Sequence, residues 1–157
     1  MKPKLYLETT IASYLVARPS REPTIRARQL STGDWWKKRL ADFEIYISDV
    51  VRLEAGAGDP VPAAKRMALI RTFPVLEATS EAKELTDALV GPGLLPAKAI
   101  RDAAHLGIAA ANGMHFLLTW NFRHIANAEI LQCVETVCEE HGFKCPAVCT
   151  PDELMGV

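Results

Sequence analysis

Hydrophobic and polar positions change period repeatedly along this chain, and each change marks an element. Lys4-Leu5-Tyr6-Leu7 is a short apolar run that ends abruptly at Glu8, the pattern of a strand buried on both faces. Thr9 or Thr10 is suited to cap a helix through Ile11, Ala12, Tyr14 and Leu15. Arg18 to Pro23 is polar and reads as a loop. From Thr24 to Phe43 apolar residues recur at helical spacing, predicting one or two helices with a break near Gly33. Glu44-Ile45-Tyr46-Ile47-Ser48 alternates as a strand does, and Ser48 or Asp49 then caps a helix carrying Val50, Val51, Leu53 and Glu54.

The second half repeats the scheme. Pro62 to Phe73 predicts a helix, Val75-Leu76 a brief strand, and Thr79 or Ser80 the cap of a helix reaching Val90. After the Gly91-Pro92-Gly93 turn, Pro96 opens a helix from Ala97 to Asn112. His115 to Trp120 is the strongest later strand, with Asn121 at its end. Asn127 to His141 predicts a long helix stopped by Gly142, and Ala147-Val148-Cys149 a last strand. Thr150 to Glu153 has the capping-box pattern. Strands that alternate with helices throughout predict an α/β fold with a central parallel sheet flanked by helices on both faces. With no repeat or linker, residues 1–157 are expected to form one domain.

Composition narrows the function. Hydrophobic residues make up 49% of the chain and charged residues 24%, which allows a sizeable core and argues against disorder. Eighteen Lys and Arg face nineteen Asp and Glu, so a broad basic footprint is missing, while a local basic rim remains open. No apolar run suits a secretory signal or a bilayer span, so no membrane association is expected and the cytoplasm is the default location. Cys133, Cys138, Cys145 and Cys149 match no common zinc pattern and are expected as free thiols.

In an open parallel sheet, ligands bind beyond the carboxyl ends of the strands. Glu8 closes the first strand, Glu54 lies on the helix after the second, Asp102 begins the helix after Pro96, and Asn121 closes the strand from Phe116. Carboxylates gathered at one edge repel one another and are held together by a hard cation such as Mg²⁺ or Mn²⁺. Each also has an ordinary explanation: Glu54 as a solvated helix residue, Asp102 as a partner of the helix dipole, and Asn121 as a turn former. An acid directly after an apolar strand, like Glu8, needs a partner or a site.

Tyr6-Leu7-Glu8-Thr9-Thr10-Ile11, then Glu54, then Asp102-Ala103-Ala104-His105-Leu106, then Leu117-Leu118-Thr119-Trp120-Asn121-Phe122 resemble, in order, the motifs of the PIN-domain family, which includes VapC-like toxins. The resemblance spans nearly the whole chain. It implies a single PIN-like domain and a metal-dependent ribonuclease, with Glu8, Glu54, Asp102 and Asn121 as the catalytic set. Glu8 and Asp102 would hold Mg²⁺ or Mn²⁺, Glu54 would complete the shell or orient water, and Thr9 and Thr119 would give support. Glu8 and Asn121 each stand where the family more often has Asp. The lost charge at 121 should weaken a second metal more than the first. An RNA substrate, an antitoxin partner and a homodimer are implied as well.

Several residues around this set have two readings. Arg18, Arg21, Arg52 and Arg123 are phosphate contacts or solvated charge. Trp120 or Phe122 stacks on a base or packs in the core. His105, one turn after Asp102, pairs with it at a metal or packs against the sheet; His124 is similarly open. Trp35 and Trp36 are dimer interface or core. Two rival functions are a catalytically weakened PIN-fold module that binds RNA or a partner protein, and a hydrolase of small phosphate esters.

Overall fold

Leu5, Tyr6 and Leu7 have no solvent exposure, which places their strand in the middle of a sheet covered on both faces. The computed structural model, which describes residues 1–157, bears this out. Its strands are β1 (Lys4–Leu7), β2 (Glu44–Ser48), β3 (Val75–Leu76), β4 (Phe116–Leu118) and β5 (Ala147–Cys149). They form one wholly parallel sheet in the order β3-β2-β1-β4-β5. The helices are α1 (Thr9–Val16), α2 (Pro23–Lys38), α3 (Asp49–Ala55), α4 (Pro60–Ile70), α5 (Ser80–Ala88), α6 (Ile100–Ala111) and α7 (Ala128–Glu140). The α/β arrangement and the parallel sheet agree with the sequence reading.

The register pairs Leu5 with Ile45 on one side and with Phe116 on the other. The chain leaves β1 for β2 in one direction and later returns to β4 in the other. The order therefore reverses between β1 and β4, where a doubly wound sheet opens a crevice beyond its carboxyl ends. Since α6 leads into β4, its first turn, with Asp102, lies at that same edge.

Several boundaries differ from the sequence reading. Glu8, not a threonine, caps α1, because its side chain reaches the Thr10 N–H at 2.8 Å. The helix does not break at Gly33. Thr32 and Trp35 on either side are buried, and their packing holds α2 unbroken from Pro23 to Lys38. Asp59 starts α4 at Pro60, earlier than expected. A short 3₁₀ turn over Ala97–Ala99 precedes α6, and β4 ends at Leu118 rather than Trp120. Thr150 and Glu153 form the expected reciprocal bonds but close only a turn.

Gly107 explains how closely α5 and α6 approach. A Cβ there would lie 2.5 Å from Thr86 Oγ1 and 3.0 Å from the Ala82 carbonyl. Trp35 is wholly buried in the core, while Trp36 is half-buried and packs edge-on against Phe73 at its margin. Ile25 and Leu30 are the exposed apolar residues of α2. All four cysteines are free. No helix is long and apolar enough to cross a membrane.

Candidate active site

The polar residues predicted from the sequence gather at the carboxyl edge in two linked groups. The first is built on Glu54, which α3 carries to the end of β1. Its Oε1 accepts from Thr9 Oγ1 at 2.8 Å and meets His105 Nε2 at 2.6 Å. Behind it lies a buried file of hydrogen bonds: His105 Nδ1 to the Tyr6 hydroxyl at 2.6 Å, and that hydroxyl to Ser48 Oγ at 2.7 Å. With neutral His105 the donors run one way. Ser48 gives to Tyr6, Tyr6 to Nδ1, and Nε2–H to the Glu54 carboxylate. Burial pushes Glu54 up, but the His105 and Thr9 bonds outweigh it and hold its carboxyl below the usual value, with Arg101 adding attraction.

Glu8 stands beside this group at 3% exposure, and its carboxylate receives only the Thr10 N–H. Burial pushes it above the usual carboxylate range. His105 and the Thr10 bond offset part of that, and Glu54 adds to it. A buried carboxylate whose only hydrogen-bonding neighbour is one neutral residue, Thr10, lacks the partners its charge requires.

The second group centres on Asp102. Its Oδ1 accepts from Asn121 Nδ2 at 3.1 Å and its Oδ2 meets His124 Nδ1 at 2.8 Å. Asn121 is fixed in turn: its N–H donates to Thr119 Oγ1 at 2.9 Å, and its Oδ1 accepts from the His124 N–H at 3.1 Å. Thr10 joins the loop after β4 to α1, since its hydroxyl accepts from the Trp120 N–H at 2.9 Å. α6 connects the groups by carrying Asp102 and His105 one turn apart. His105 turns to Glu54, however, so the Asp102–His105 pairing considered from the sequence does not form.

Thr9, next to Glu8 in sequence, thus bonds Glu54, and Thr119 bonds the Asn121 backbone. Arg18, Arg21 and Arg123 are exposed, while Arg52 is 52% exposed and leans toward Asp49. Sequence reasoning missed Tyr6, Ser48, Thr10 and Arg101. Tyr6 reads as an apolar strand residue and Ser48 as a cap, and each holds that place as well as a place in the network.

Carboxylates with an amide carbonyl form a donor set for a hard cation, and the under-bonded Glu8 is where such a charge fits. As the side chains stand, no three His, Cys, Asp or Glu residues are grouped to hold a metal ion, because Glu54 and Asp102 are each turned onto a histidine. A surface hollow of about 520 Å³, lined by Glu135, Glu139, Gly142, Phe143, Lys144 and Cys145, shares no residue with this edge.

No family model and no curated protein matches the sequence. Among solved structures, the chain is similar to one from VapBC2 of Rickettsia felis, solved bound to a DNA fragment from their promoter. The TM-score is 0.57 at 12% identity, over 93% of this chain and 97% of that one. At such identity the likeness is one of fold, and it agrees with the PIN-like architecture read from the sequence.

Proposed function

We propose that this chain is a metal-dependent endoribonuclease, the toxin of a toxin–antitoxin pair, which works in the cytoplasm as a homodimer. The observation that carries the proposal is that Glu8 and Glu54 in one group, and Asp102 and Asn121 in another, both stand at the carboxyl edge of a parallel PIN-like sheet. The similarity in fold to a chain of a VapBC2 assembly supports an antitoxin as partner.

Glu8 and Asp102 would hold Mg²⁺ or Mn²⁺, which when bound lowers the pKa of a water and steadies charge on a phosphoryl oxygen. The protein's own groups do the rest. Glu54, held ionised by His105 and Thr9, accepts a proton from the attacking water. Asn121 and His124 fix the direction of the Asp102 carboxylate, and Thr119 fixes Asn121.

Calorimetric titration with Mn²⁺, wild type beside Asp102→Asn, tests the site. Binding in the wild type and its loss in the variant are expected, together with RNA cleavage that EDTA stops. Full cleavage by nuclease-free Glu8→Gln or Asp102→Asn protein would sink the proposal. A second reading, a PIN-fold module that binds RNA or a protein without cutting, is favoured by the Asn121 amide. That amide occupies an oxygen of Asp102 and adds no negative charge. Tight Mn²⁺ binding with no RNA cleavage selects this reading.

A further inference from the structure

Trp120 and Phe122 flank Asn121 but have opposite fates. Trp120 is 6% exposed, and its indole N–H donates to Thr32 Oγ1 at 2.8 Å. Phe122 is 44% exposed. Its ring meets Trp120 edge-on, with centroids 6.1 Å apart, and Arg28 Cζ lies over it, 4.9 Å from the centroid. None of the four ion pairs of the chain includes Arg28.

The backbone holds this arrangement firmly. Phe122 N–H donates to the Trp120 carbonyl at 3.0 Å, and the Asn121 carbonyl accepts from Ile125 and Ala126. An exposed aromatic ring, carried on a hydrogen-bonded turn with a guanidinium over one face, thus stands one residue from the Asn121–Asp102 contact. Burial does not account for it, because the core role in this segment belongs to Trp120. A flat ring with a cation beside it suits a nucleobase and its phosphate.

We propose that Phe122, backed by Arg28, is the platform on which a base of single-stranded RNA stacks beside the acidic site. Arg28 holds the ring in place and attracts the adjoining phosphate. The inference rests on RNA being the ligand of that site.

The test is fluorescence anisotropy of a fluorescein-labelled single-stranded RNA about ten nucleotides long, in Ca²⁺, a cation that takes the same class of oxygen ligand. Phe122→Leu is expected to weaken binding about 5- to 150-fold, the span of one stacked base, while Phe122→Tyr binds as wild type. On RNAs made abasic one position at a time, one position should make wild type and Phe122→Leu equal. Unfolding temperatures of both variants check that each is folded. Equal RNA affinity of folded Phe122→Leu and wild type overturns the platform and leaves the ribonuclease reading standing. Failure of the wild type to bind RNA overturns both.

Discussion

Removing one oxygen atom tests the file of hydrogen bonds behind Glu54. Tyr6→Phe keeps the ring, which is wholly buried in the central strand, and deletes a hydroxyl bonded to His105 Nδ1 at 2.6 Å and Ser48 Oγ at 2.7 Å. Both partners stay buried, so His105 Nδ1 and Ser48 Oγ each lose a hydrogen-bond partner. Leaving a buried polar group unsatisfied costs about 1–3 kcal/mol. Two such groups, less the desolvation no longer required for the hydroxyl, give a loss of about 2–4 kcal/mol. In a chain of this size that lowers the thermal midpoint by roughly 4–16 °C. Urea unfolding of both proteins measures the difference, and the m-value should not change. Ser48→Ala completes a double-mutant cycle, in which the coupling should exceed about 0.5 kcal/mol. A loss below about 0.5 kcal/mol for Tyr6→Phe, with zero coupling, would refute the claim that these groups form a continuous chain.

Two further outcomes follow from the packing and charge. In metal-free buffer, Glu8→Gln should be more stable than wild type near neutral pH. The folded pKa of Glu8 lies above its ordinary 4.5, so its contribution is fully present below that value and is lost as pH rises through the folded pKa. The advantage of the variant grows by about 1.4 kcal/mol for each unit by which the folded pKa is raised. Melting curves across that range decide it, and an advantage that grew on acidification would contradict the assignment. Gly107→Ala should cost about 1–3 kcal/mol, because the new methyl group meets Thr86 and the α5 backbone. A neutral or stabilising result in thermal melts would mean that α5 and α6 can separate freely.

The strands were legible because their apolar runs are short and bounded: burial on both faces leaves β1 and β4 a continuous hydrophobic signature, while β2 shows as an alternating one. The edge positions of Glu8, Glu54, Asp102 and Asn121 followed from topology alone. Their pairing did not. His105 is three residues from Asp102 in sequence, yet it bonds Glu54 and Tyr6, and only the crossing of α3, β1 and α6 determines that choice. Asn121 read as a weaker substitute for an acid, whereas its amide donates to Asp102 and so acts as a brace. At Gly33 local propensity suggested a break, and packing of Thr32 and Trp35 overrode it.

Synthesis and assembly run on different clocks in this sheet. β1 is made before the other strands but stands at the centre, and its second neighbour is made more than a hundred residues later: Leu5 waits for Phe116, and β4 in turn borders β5 at Cys149. A nascent chain can pair β1 with β2 and set Glu8 beside Glu54 while Asp102, Asn121 and His124 are still unmade. Closing so long a loop is slow, and the open side of β1 is exposed until it happens. Whatever chemistry this edge performs is thereby withheld until β4 and the loop that follows it have been made. Fragments ending before Phe116 should be inert and readily digested by protease.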